Sequence, residues 1–360
     1  MGGGEISNRM LLSELVKRGH DVTVIALNTS NSENSKSTEF KLIKPASWLR
    51  FDFIRIVFSY AILFFYGIRW AIINNPDILI TSTKASAVGV SIAKKLNVPV
   101  GIIVRSAEDV FFKKTIKKFK FSIDGVRSTI LRLLFGDYGF SALTKSDFII
   151  SNSNFIKDKI LRSLSDKPVY VVYPPLEFKE IAPFKKTDVK KIYMVGTSEE
   201  KGLSFISGLA DHFKDVEFFV LGTPGVSLGD EKKVGNITYK GWSNVFKEFS
   251  ENADLIIVPS ICEEAFGRVA IEGLAAGKIV LASNIGGLPE ALFYQERLLI
   301  EPNNLLSWIK RIEEVLRSVD IFLYSSRLAQ EQVKFLSLTN QIDSFENALF
   351  SEIKNQNISS

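Results

Sequence analysis

The chain has 360 residues, 46% hydrophobic and 24% charged, with a formal net charge of +5. That balance excludes a disordered chain, a collagen-like repeat and a small disulfide-stapled scaffold, and the length predicts two domains, each large enough for its own core. Cys262 is the one cysteine, so no intramolecular disulfide is possible, and with two histidines no Cys/His metal cluster is expected. Such cysteine usage points to the reducing cytoplasm.

In chain order, Gly2-Gly3-Gly4 opens the sequence as a glycine loop without the basic-then-apolar run of a signal peptide. Residues 5–18 predict a helix from the spacing of Ile6, Met10, Leu11, Leu15 and Val16, ended at Gly19. Asp21–Leu27 is a β-branched strand, and the Asn/Ser/Lys-rich 29–38 a loop. An apolar helix follows over 52–74. Its uncharged run, Ile56–Ile68, has 13 residues. A spanning helix needs about 20, so this one is buried or interfacial. Strands at 78–81 and 98–104 flank a helix at 85–96.

The stretch 113–132 holds seven basic residues against Asp124 alone, a local +6, so the rest of the chain sums to −1. This excludes a chain-wide nucleic-acid footprint. Phe111, Phe112, Ile116, Phe119, Phe121 and Ile123 interleave with the lysines, a composition that suits an anionic membrane surface over 111–132. Phe148–Ser151, a helix from Asn154 and Val169–Val172 close the first half.

Strands then alternate with helices again from Lys191. Strands are expected at 191–195, 216–221, 236–239, 255–259 and 279–282, with helices between them and a mostly helical end. Two parallel, helix-covered sheets follow, an α/β architecture whose ligands bind at the carboxyl ends of strands and in the cleft between two facing domains. The expected boundaries are 1–175 for the N-terminal domain, 176–190 for a linker and 191–335 for the C-terminal domain. A C-terminal helix over 336–360 is expected to pack back on the first domain.

The most informative run is 255–290. Pro259-Ser260 leads to Glu264-Ala265-Phe266-Gly267, then Glu272 in a small-residue helix, Gly277, an apolar strand and Gly286-Gly287-Leu288-Pro289-Glu290. Glu264 and Glu272 are eight positions apart, which predicts carboxylates about two turns apart on one helix face. The run resembles the Glu-x7-Glu signature of retaining GT-B glycosyltransferases, family 4. Further similar wordings are Gly2-Gly3-Gly4-Glu5, Arg18-Gly19-His20-Asp21-Val22-Thr23-Val24, Val195-Gly196 and Glu200-Lys201-Gly202.

The resemblance implies two Rossmann-like domains, a nucleotide diphosphate sugar donor, a glycan or lipid-linked acceptor, and retention at the anomeric carbon. It implies neither a metal nor another cofactor. Glu264 would bind the donor sugar as the catalytic carboxylate, Glu272 the ribose hydroxyls and Lys201 the diphosphate. The amides of Phe266 and Gly267 and the glycines Gly2, Gly3 and Gly4 would lie along the donor.

Three departures stand out. Thr197 occupies the donor-site position of the family's arginine, leaving Arg268 as a substitute cation. A histidine is replaced by Arg105, a candidate for acceptor or phosphate, or for pairing with Glu108 or Asp109. The N-terminal sheet is expected to lack its first strand, because only Met1 precedes the glycine loop. The other readings are a nucleotide-sugar epimerase or phosphorylase on the same fold, and a non-catalytic sugar-nucleotide-binding or scaffolding subunit. The expected location is cytoplasmic, peripheral on the membrane face.

Overall fold

A computed structural model describes residues 3–27, 39–43, 52–82, 85–106, 140–176, 181–184, 188–227 and 229–359. Gly2, Glu108, Asp109 and the basic stretch 111–132 lie outside the described residues. The chain divides into two compact units, Met1–Pro175 with Leu338–Ser360, and Leu176–Ser337.

In the first unit, α1 (Gly3–Lys17) buries Ser7, Leu11 and Leu15, which recur every four residues on one face. The helical register runs back through Gly3 and Gly4. These glycines are therefore the first turn of α1 rather than a loop, at an end where the backbone N–H groups lack intrahelical partners. Gly19, at φ 92°, turns the chain out, and the His20 N–H closes the last turn on the Leu15 carbonyl at 3.1 Å.

β1 (Thr23–Leu27) pairs in parallel with β2 (Glu39–Ile43). α2 (Asp52–Asn74) packs on α3 (Ser86–Leu96), burying Ser59, Leu63 and Ala71. A Cβ on Gly67 would meet the Ile92 Cδ1 at 2.9 Å, so glycine sets this close approach. β3 (Leu79–Ser82), β4 (Val100–Val104), β5 (Phe148–Ser151) and β6 (Val169–Val171) form a second, wholly parallel sheet in that order. α4 (Asn154–Leu161) leaves β5 through Ser153, whose Oγ accepts the Ile156 N–H at 3.1 Å.

The second unit holds one seven-stranded sheet, ordered β13-β12-β11-β7-β8-β10-β9. In chain order these are β7 (Lys191–Val195), β8 (Glu217–Leu221), β9 (Glu231–Val234), β10 (Ile237–Lys240), β11 (Leu255–Val258), β12 (Ile279–Ser283) and β13 (Leu299–Ile300). The helices are α5 (Leu203–His212), α6 (Val245–Asn252), α7 (Arg268–Ala275), the short α8 (Leu288–Ala291), α9 (Leu305–Arg317) and α10 (Val319–Val333). All strand pairs are parallel except β9 with β10, an antiparallel hairpin edge. β7, β8, β11 and β12 are apolar runs because both faces are covered.

The last helix, α11 (Leu338–Ser359), belongs to the first unit. Its Ile342 and Phe345 share a core with Leu11, Leu15, Phe148 and Ile150. Arg18 bridges Asp343 and Glu346 at 2.6 Å each, and the Tyr170 hydroxyl donates to Glu352 Oε1 at 2.7 Å.

Candidate functional site

In a parallel sheet all carboxyl ends share one edge. The chain order reverses between β7 and β11, and ligands of such sheets bind at that crevice. The residues leaving β7 are Gly196 and Thr197, followed by a 3-10 turn over Glu199–Lys201. Those leaving β11 are Pro259 to Gly267.

The two loops are fastened to each other. The Ile261 N–H donates to the Glu200 carbonyl at 2.9 Å. Gly202, at φ 84°, sits so close to the Pro259 carbonyl that a Cβ there would clash with it. Gly196, at φ 98°, passes beside the Lys201 stem, where an added Cβ would meet Cγ at 3.1 Å. Glycine at both positions lets Lys201 turn toward the second loop.

Lys201 Nζ donates to Glu264 Oε1 at 2.6 Å, and the Ser260 hydroxyl donates to the same oxygen at 2.6 Å. Both bonds meet Oε1. The Glu264 side chain is 16% exposed, and that of Lys201 more open at 40%. The pair is therefore a carboxylate held from below with a cation accessible beside it. Gly286 and Gly287 brace the loop from the far side. A Cβ on Gly286 would meet the Glu264 backbone at 2.6 Å, and the Gly287 N–H donates to the Glu264 carbonyl at 2.7 Å.

Glu264 is not on a helix. Gly267, at φ 109°, starts α7 at Arg268, so Glu264 lies in the preceding loop and only Glu272 is helical. The expected shared helix face is thereby corrected: a left-handed glycine breaks the register between the two carboxylates. Glu272 pairs within α7 with Arg268 Nε at 2.7 Å. Burial pushes the Glu272 carboxyl up, and the charge and hydrogen bond of Arg268 oppose that shift. Arg268 thus faces Glu272 at i,i+4. Phe266 is buried beside Gly267 at the entry to α7.

Cys262 sits in the same loop, its thiol pushed up by burial, with Lys201, Glu264 and Glu200 near enough to act on it electrostatically. Ser260 and Gly286-Gly287 were visible only as motif wording, and nothing in spacing marked them as holders of Glu264. Trp242, also unassigned from sequence, stands exposed past β10 against Gly222, where a Cβ would meet its ring at 3.0 Å.

In the first unit, Arg105 leaves β4 and lies against the first turn of α1. A Cβ on Gly4 would sit 3.5 Å from Arg105 Cδ, and the Arg105 carbonyl accepts from Asn152 Nδ2 at 3.3 Å. Gly4 and Arg105 are therefore brought together, whereas His20 and His212 pair with Glu346 and Glu313.

A doubly wound sheet with charged loops meeting at its switch point defines a class of α/β unit whose ligands bind at that crevice. The description "Glycosyltransferase Family 4" matches residues 1–179, and "Glycosyl transferases group 1" matches residues 177–320. The chain belongs to these glycosyltransferases of group 1, family 4 type, with the GT-B fold of two Rossmann-like domains.

It is 25% identical over 317 residues, 81% of this chain and 83% of the relative, to a 42.6 kDa protein in the cps region of Klebsiella pneumoniae. Its fold is similar to sucrose-phosphate synthase from Thermosynechococcus elongatus, with TM-score 0.74 and 16% identity over 97% of this chain and 94% of that one. Anabaena HepE, solved in complex with UDP-glucose, is similar with TM-score 0.70 and 15% identity, over 98% and 96% of the two chains.

Proposed function

We propose that this chain is a retaining, metal-independent glycosyltransferase moving a hexosyl group from a nucleoside-diphosphate sugar to a glycan or lipid-linked acceptor. The observation that carries the reading is Lys201 and Ser260 converging on Glu264 at the switch point of the second unit. The UDP-glucose held by the similar HepE supports the donor class.

In this reading the bond from the anomeric carbon to the diphosphate oxygen breaks, and its electron pair leaves with the nucleoside diphosphate. The acceptor oxygen bonds to the face the leaving group vacates, and its proton passes to the departing phosphate oxygen. Lys201, the amides of Phe266 and Gly267 and the loop of Thr197 stabilise the growing charge in place of a metal. Glu264, anchored through Oε1, offers Oε2 to the sugar hydroxyls. Glu272, with Arg268 beside it, takes the ribose hydroxyls. The first unit receives the acceptor, with Arg105 and the glycines Gly2, Gly3 and Gly4 contacting phosphate or sugar. The basic stretch 111–132 suits an anionic cytoplasmic membrane face.

The test is nucleoside-diphosphate release from a panel of UDP- and GDP-sugars in EDTA. Wild type should turn over one donor. Lys201→Ala removes a charge-assisted phosphate contact worth about 1.5–3 kcal/mol, so its donor KM should rise about 10- to 100-fold. Nucleotide binding by titration without turnover of any donor would make the chain a binding subunit instead.

A further inference from the structure

Each cation of the candidate site is already bonded to a carboxylate. Lys201 Nζ donates to Glu264 Oε1 at 2.6 Å, and Arg268 Nε donates to Glu272 Oε1 at 2.7 Å. The two loops and the start of α7 carry Glu199, Glu200, Glu263 and Glu264 against Lys201 and Arg268, four carboxylates against two cations and so a local −2. Glu199, Glu200 and Glu263 are exposed, so water and salt screen them. Glu264 is mostly buried, and Ser260 fixes its Oε1 at 2.6 Å from a second side. Its charge therefore acts beside Lys201 with little screening.

An ammonium has three N–H donors, and Lys201 uses one on Glu264. A phosphate oxygen taken by a second donor at about 2.8 Å lies about 4–5 Å from Glu264 Oε1, because the ammonium is tetrahedral. A diphosphate on Lys201 thus sits next to a fixed carboxylate, and like charges at that distance repel. What offsets the repulsion differs between the two nucleotides of a transfer reaction. The donor carries about two negative charges, and its sugar brings hydroxyls that donate to the carboxylate. The free nucleoside diphosphate carries about three above its terminal phosphate pKa of about 6, and has lost those hydroxyls.

We propose that Glu264 discriminates against the released nucleoside diphosphate. By holding Lys201 it keeps the leaving nucleotide weakly bound and favours its departure, while the intact donor is spared because its sugar hydroxyls satisfy the carboxylate. This second role for Glu264 rests on the donor reading given above, and it adds a term that acts after transfer rather than during it.

The test is calorimetric titration of the full chain in EDTA, above about pH 7, with UDP and GDP and with UDP-glucose and GDP-mannose. Glu264→Gln removes the charge and keeps the shape. It should bind UDP or GDP about tenfold more tightly than wild type does, and the matching nucleotide sugar no more tightly. Glu264→Ala removes the same charge and serves in its place if the amide variant has a lowered Tm. Ser260→Ala leaves the charge and should change the affinity for UDP or GDP by less than about twofold. A Glu264→Gln variant that binds UDP and GDP no more tightly than wild type overturns this inference, and the transfer reading stands if wild type still releases nucleotide from a donor. Equal tightening of nucleotide and nucleotide sugar also overturns it, as does a Ser260→Ala variant that gains as much, since the gain would then come from a loosened loop. Failure of wild type and variant alike to bind any of the four probes overturns the transfer reading together with this one.

Discussion

Glu264 owes its position to small residues rather than to a helix. Lys201 and Ser260 reach it from two loops, and the glycines at 202, 286 and 287 let the backbones close around it. The carboxylate eight positions later is held differently. Burial lifts the pKa of Glu272, with Arg268 pulling against it. The native state therefore keeps the Glu272 proton to higher pH than the unfolded chain does. Its stabilising contribution is fully present below the ordinary glutamate pKa of about 4.3, and is lost as pH rises through the raised folded value. Glu272→Gln removes this titration. Urea unfolding across that range should show the stability of the variant, relative to wild type, increasing with pH. A pH-independent difference would mean that Glu272 titrates alike in both states. Lys201 and Glu264 are 63 positions apart, so spacing was silent about their pairing. Only the resemblance named both, and the left-handed Gly267 was the one local sign that Glu264 lies off the helix.

Among the elements, α11 shows how a late segment completes an early core. Ile342 and Phe345 fill it, Arg18 clamps its near end, and Tyr170 of β6 reaches its far end at Glu352. Burial, with the Glu352 carboxylate as acceptor, pushes the Tyr170 hydroxyl up to about 12. Tyr170→Phe leaves the buried Glu352 carboxylate short of a donor and should cost about 1–3 kcal/mol of stability, seen as a lower urea midpoint. An unchanged midpoint would show that Glu352 is satisfied elsewhere. Elements of this kind were legible where one physical signal dominated. α2 was expected at 52–74 and spans Asp52–Asn74, because an apolar run between Arg55 and Arg69 has no other regular form. β7 and β8 were legible as β-branched and aromatic runs. β9, Glu-Lys-Lys-Val, was not, because this exposed edge strand carries charge at three of its four positions and pairs only with β10, across the Gly235 turn. The two-residue β13 escaped for want of length, while β2, as long as β1, is defined by its pairing with β1 more than by its own pattern.

At the scale of the molecule, strands alternating with helices in both halves specify two units of parallel, helix-covered sheet, and that much was legible. The last helix belongs to the first unit through long-range packing of Ile342 and Phe345 against Leu11, Leu15, Phe148 and Ile150. The proposed function rests on the second unit, where two loops from adjacent parallel strands meet at the reversal of chain order and present one carboxylate and one ammonium. In the proposed reading the ammonium meets the phosphate oxygens of a nucleoside-diphosphate sugar, and the carboxylate accepts from its hydroxyls.

The most direct test is nucleoside-diphosphate release by Glu264→Ala on the donor that wild type turns over, read beside its Tm. Glu264 is proposed to touch the reacting sugar, so turnover should fall by at least about 100-fold while Tm stays within a few degrees. Near-normal turnover in a folded Glu264→Ala variant would contradict the assignment.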